Sequence, residues 1–222
     1  MNNISKYAIT VIAVLVLFAS TQTASAQPLS TNIKYKGISA DAYWSSEQDG
    51  IHTDVYVFAS EYSTQEKSEK YNGSGSYVGI YQYTIGDEVC QEWEQVYYCW
   101  NEYIPLKSFF GYTESAPSTF QNSGRLGSAT LDTTINGYDY VTDSAKSVTI
   151  NANWIGDGEY STGNGHYNYR SGSYSYSGHY VGTDRAATAT ATISGDMTLD
   201  LGSSSYGYLH NTKAGYAYVT NY

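Results

Sequence analysis

After Ala26 the chain alternates. Apolar residues recur at every second position over short stretches, and turn dipeptides separate the stretches, which is the pattern of half-buried antiparallel strands. Asp49-Gly50 suits a two-residue hairpin turn. Counting outwards from it pairs Trp44 with Val55, Ala42 with Val57 and Ala40 with Ala59. All six then share one face, as a hairpin with one buried side requires. Asn136-Gly137 predicts a second hairpin, with Ile135 opposite Tyr138, Thr133 opposite Tyr140 and Leu131 opposite Thr142. A loop of Ser194-Gly195-Asp196 predicts a third, with Ile193 facing Met197, Ala191 facing Leu199 and Ala189 facing Leu201. A fourth turns at Ser171-Gly172 and sets Tyr169 opposite Tyr174 and Tyr167 opposite Tyr176. These four tyrosines line one face, and the other carries His166, Asn168, Arg170, Ser173, Ser175 and Ser177. Tyr77–Ile85, Val89–Trp100, Val148–Ile155 and Gly215–Asn221 read as further strands. Ser63–Ser76 and Thr113–Gly124 read as the longest loops.

Composition points the same way. Tyrosine occurs 26 times and glycine 21 times, Thr and Val are common, and no segment after Ala26 keeps a helical period. The expected fold is all-β: an antiparallel two-sheet β-sandwich with one hairpin-proximal disulfide, following a cleaved signal peptide. Residues 27–222 are expected to form a single extracellular domain. A faint echo, Ala42-Tyr43-Trp44 before Asp49-Gly50 and Ala152-Asn153-Trp154 before Asp157-Gly158, recurs at about 110 residues and would fit an internal duplication.

Residues 1–26 have the layout of a secretory signal peptide. Lys6 supplies a positive start, Ala8–Ala19 are apolar apart from Thr10, and Ala24-Ser25-Ala26 offers a small-residue cleavage site. The apolar run falls short of the ~20 residues that span a bilayer. Export makes a disulfide the expected state of Cys90 and Cys99, the only two cysteines. The formal net charge of −10 argues against a nucleic-acid partner and against anionic lipid surfaces.

Catalytic motifs are sparse. His52, His166, His179 and His210 are scattered without a metal-ligand spacing, although His166 and His179 could meet across strands. Glu92 and Glu94 are two apart and would share a strand face, a separation within the glycosidase range; a solvated strand face explains them as well. Asp157, Glu159 and Asp184, and Asp139 with Asp143, lie in glycine-rich stretches that could offer calcium oxygen ligands. No Asp-x-Asp-x-Asp-Gly loop is present, so no cofactor is expected, with calcium the alternative left open. Asn72-Gly73-Ser74 is a glycosylation sequon, meaningful only in a host with that machinery.

Tyr167, Tyr169, Tyr174 and Tyr176 are the functional lead, because aromatic rings stack on sugar faces while their hydroxyls keep hydrogen bonds. The competing expectation is that these rings fill a sheet–sheet core. Together these features favour an exported, non-catalytic surface, matrix or adhesive module, with carbohydrate or another surface protein as partner. The alternatives are an outer-membrane β-barrel, suggested by the alternating terminal aromatics Tyr216, Tyr218 and Tyr222 and by a candidate lipid face of Val148, Ile150, Ala152 and Trp154; a filament or surface-layer subunit; and, last, a glycan-active enzyme.

Overall fold

The computed structural model describes residues 30–114, 120–122, 125–172 and 174–220. The signal peptide expected at residues 1–26 lies outside the described residues, as does most of the expected loop around Pro117. Strands run β1 Ser30–Gln48, β2 Ile51–Glu66, β3 Glu69–Trp93, β4 Val96–Glu114, β5 Gln121–Asn122, β6 Ser128–Asp139, β7 Ser144–Ser171, β8 Tyr174–Gly195, β9 Leu199–Leu201 and β10 Tyr206–Thr220.

All the pairings are antiparallel, and the strands join in one sheet of order β10-β1-β2-β3-β4-β6-β7-β8-β9. Among the described residues the strands make one sheet rather than the two expected of a sandwich. β10 uses both of its edges, pairing with β1 from Tyr43↔Tyr206 to Ser30↔Val219 and with β8 from Ala186↔Tyr208 to Tyr174↔Thr220. Eight strands therefore close a ring, and closure removes the open edges that an isolated sheet would have to protect. The weakest seam is β4–β6, which pair only from Phe109↔Asp139 to Gly111↔Gly137. Phe120 and Leu126, from the connection between those strands, are buried in the same core.

That core fills one half of the barrel. Its inward residues alternate along each strand: Ala40, Ala42 and Trp44 on β1; Val55, Val57 and Ala59 on β2; Val148, Ile150, Ala152 and Trp154 on β7. The last four, read above as a candidate lipid face, point into the barrel. Two indoles span it: Trp154 Nε1 donates to the Asp41 carbonyl at 3.0 Å and Trp44 Nε1 to the Gly202 carbonyl at 2.8 Å. Buried indole N–H groups need such partners.

The Asp49-Gly50 hairpin forms with the predicted register, Trp44↔Val55, Ala42↔Val57 and Ala40↔Ala59. Both turn residues have positive φ, 53° and 75°, as this turn type requires. Asn136-Gly137 does not turn. It lies inside β6, where β6 crosses β4 so closely that a β-carbon on Gly137 would stand 2.3 Å from the Phe110 carbonyl oxygen. The reversal comes after it, at residues 140–143. The β8–β9 hairpin pairs Ile193 with Leu199 and Ala191 with Leu201, two residues out from the expected register. A shift of two keeps each side chain on its face. Residues 63–76, expected to be a loop, are strand apart from a turn at Lys67-Ser68, and Val89–Trp100 is two strands around a turn at Glu94-Gln95.

Candidate functional site

The β7–β8 hairpin pairs Tyr169 with Tyr176, Tyr167 with Gly178 and Ser171 with Tyr174. The strands end at Ser171 and resume at Tyr174. The pairing moves by two, so the tyrosine positions 167, 169, 174 and 176 still share one face of the sheet. That face points away from the barrel interior, and none of Tyr167, Tyr169 and Tyr176 belongs to the buried core. Tyr169 is 54% exposed. Tyr167 and Tyr176 stack at 5.2 Å with their hydroxyls 2.8 Å apart. Tyr216 on β10 stacks on Tyr176 at 6.0 Å and lies 6.2 Å from Tyr167. Burial within this cluster, together with the Tyr176 hydroxyl, pushes the Tyr167 phenol well above its ordinary range.

The ring array continues around the wall. Tyr35 stacks on Tyr62, Tyr43 on Tyr206, Tyr56 on Tyr77, and Phe58 on Tyr77, which also meets Phe110. Cross-strand aromatic pairs of this kind stabilise a sheet. The alternation of these residues was visible in the sequence, but which face of the sheet was solvent-facing was not.

His210 forms a second cluster that spacing alone did not reveal. Its Nδ1 lies 2.8 Å from Asp184 Oδ1 and its Nε2 2.6 Å from Asp41 Oδ1. The three residues come from β10, β8 and β1, so the imidazole ties together the strands that close the ring. Burial by itself would lower the imidazolium pKa, but the hydrogen bonds to Asp184 and Asp41 and their charges together raise it to about 9. At neutral pH both ring nitrogens donate, and the ring offers no basic lone pair for proton abstraction.

The other predicted positions are placed as follows. Cys90 and Cys99 are bonded to each other across β3 and β4, and the bond indicates a non-cytoplasmic compartment. Asn72 is in strand β3 rather than in a loop, and is exposed. Glu94 is in a turn with φ 51°, so it does not share a strand face with Glu92. Among the calcium candidates, Asp139 accepts from the Ser108 and Val141 amides and the Thr142 hydroxyl. Burial raises its pKa, but these bonds and the Thr142 amide outweigh it and hold the carboxyl below the usual carboxylate range. Asp143 accepts from Tyr138, Asp157 from Thr188, and Asp184 from His210. Glu88 lies beside the two cysteines, whose sulfurs are committed to the disulfide.

The inward face changes character above the apolar core. His166 and His179 are Cα partners with ring centroids 6.0 Å apart. They line a cleft of about 650 Å³ with Asn32, Lys34, Gln65, Lys67 and Asn168.

No family model matches the chain, and no curated protein does. Among solved structures, the outer membrane protease OmpT from Escherichia coli aligns over 90% of this chain and 99% of its own at 8% identity, with a TM-score of 0.16. That similarity is too slight to bear on fold or function.

Proposed function

We propose that this is an exported, non-catalytic binding or adhesive protein whose contact surface is the outward tyrosine face around Tyr167, Tyr169, Tyr176 and Tyr216, with carbohydrate as the partner. One observation carries the reading: the tyrosines sit on the face of the sheet opposite its inward side, and the buried core is built from other residues. They are therefore not needed to fill the core. Stacked rings with hydroxyls at their edges present both the apolar plane and the hydrogen-bonding rim that a sugar ring meets.

The polarity of the wall favours this over a membrane-spanning barrel. Such a barrel is apolar outside and polar within. Here Val148, Ile150 and Ile193 are inside, while Asp132, Thr134, Asn151, Asn153, Thr190 and Thr192 face outwards and are exposed.

A glycan array tests the reading. Wild-type protein should give a saturable signal on a subset of sugars, and Tyr167→Ala with Tyr176→Ala should abolish it while the barrel stays folded by circular dichroism. Tyr169→Ala, a change at the most exposed ring of the hairpin cluster, should weaken binding alone. Binding that survives all three changes would sink the idea.

A further inference from the structure

Two parts of the molecule take no part in the tyrosine face, and the strand directions place them at opposite ends. At the end bearing the Asp49-Gly50 turn, β3 and β4 run on as a hairpin that turns at Glu94-Gln95. Its pairing gives it two unlike sides. Glu88, Cys90 and Glu92 share one with Tyr97, Cys99 and Asn101, and Val89, Gln91, Trp93, Val96, Tyr98 and Trp100 form the other. Trp93 and Tyr97 are each 68% exposed. The hairpin carries Asp87, Glu88, Glu92, Glu94 and Glu102, and no Lys, Arg or His occurs between Tyr71 and Leu106. The Cys90–Cys99 bond holds the two strands together.

At the other end, β4 and β6 stop pairing at Glu114↔Gly75 and Ser128↔Ile155, while β7, β8, β10, β1, β2 and β3 continue. The inward side of this extension is basic. Lys34, Lys36, Lys70, Arg170 and Lys213 occupy inward register positions beside His166 and His179, and Lys67 stands at the rim. Six of the eleven Lys and Arg of a chain with net charge −10 are gathered here. Among the described residues, Glu61 is the one carboxylate at these inward positions.

We propose that the acidic hairpin of one copy docks on the basic inward face of the next, so that the protein assembles head to tail. The charges are complementary, which steers and orients the encounter. Tyr97, which shares the glutamate side of the hairpin, would lose water against lysine stems and imidazole rings, contacts that cations and aromatic faces favour. The disulfide limits the ordering the hairpin must undergo on docking. A two-stranded hairpin is about 10 Å wide, and a six-stranded face about 25 Å, by ordinary strand spacing, so the first fits within the second. The donor and acceptor surfaces differ, so the contact is heterologous and propagates into a chain unless its rotation closes a ring. The proposal does not depend on sugar binding by the tyrosine face.

Sedimentation velocity from micromolar to submillimolar protein at low salt is the test. Wild-type protein should grow in mass with concentration and return towards monomer at high salt. Lys34→Glu with Lys36→Glu, and separately Glu88→Lys with Glu92→Lys, should each stay monomeric, and an equimolar mixture of the two should assemble again. A wild-type protein that stays monomeric throughout overturns the proposal, as does assembly indifferent to both pairs of changes. So does a monomer whose Lys34 and Lys36 instead retain polygalacturonate. Should either charge-reversed variant fail to fold, carbodiimide cross-linking of a mixture of isotopically light and heavy wild-type protein decides. Intermolecular links from Glu92 or Glu94 to Lys34, Lys36 or Lys213 support the contact, and their absence refutes it.

Discussion

Tyr167 lies across Gly178, its Cα partner on the neighbouring strand: a β-carbon on Gly178 would stand 2.3 Å from the Tyr167 hydroxyl oxygen. The glycine leaves the space in which the phenol rests, and the ring in turn covers backbone that the glycine exposes. Tyr62 over Gly73 and Tyr180 over Gly165 repeat the arrangement. At these positions glycine and tyrosine are structurally complementary.

Gly178→Ala should displace the Tyr167 ring at modest expense, because the obstacle is the free end of a side chain. The expected loss of stability is below about 1 kcal/mol, whereas the Tyr167–Tyr176 hydroxyl contact disappears. Gly137→Ala is the contrasting case. Its β-carbon would meet the Phe110 carbonyl at 2.3 Å and the Gly111 Cα at 2.6 Å, and backbone must move. Overpacking of that kind costs about 1–3 kcal/mol or more. Chemical denaturation of the two variants should separate them clearly.

The His210 cluster makes stability depend on pH. Its folded pKa is raised from the ordinary 6.5 to about 9, so its contribution is complete below pH 6.5 and declines as pH rises towards 9. The full shift corresponds to roughly 3 kcal/mol at most, less after allowance for partial exposure. Melting temperatures of wild-type protein should fall across that window. His210→Gln should lower the starting value and flatten that part of the profile; an unchanged slope would contradict this assignment.

Removing the disulfide should act locally. The chain-entropy relation gives about 2.5–3 kcal/mol for a loop of this length, yet Cys90 and Cys99 lie on a hairpin whose residues from 87 to 106 are all exposed. That hairpin can open without disturbing the core. Cys90→Ser with Cys99→Ser should therefore speed amide exchange across residues 87–102 and leave the global unfolding midpoint nearly unchanged.

Trp154→Phe should be costly. The indole is fully buried and its N–H reaches Asp41 of β1 across the barrel. Lost volume and an unpaired carbonyl together suggest about 2–4 kcal/mol, measurable by equilibrium denaturation with little change in fold by circular dichroism.

Much of the local structure was legible in the residue pattern. The period of two identified the strands, and Asp49-Gly50 fixed one hairpin register in full because its turn chemistry and its apolar face agree. The β7–β8 and β8–β9 hairpins were displaced by two positions, which left every face assignment intact. Asn136-Gly137 misled because the same dipeptide can supply a tight turn or a site of close strand crossing, and only the neighbouring Phe110 backbone distinguishes them.

The sequence by itself determined that this protein is built of antiparallel strands, that its cysteines pair, and, in the hairpins it placed correctly, which side chains share a face. Those properties depend on neighbours along the chain or one hairpin away. Tertiary structure decided the rest. Whether the strands close into a ring depends on β10 meeting both β1 and β8, a long-range pairing that no local period encodes. Closure then chose the inside. Once Val, Ile, Ala and Trp side chains filled its core, the tyrosines were left facing outwards, Asp41 and Asp184 were brought to His210, and the scattered Lys and Arg side chains of four strands and a turn were gathered at one end.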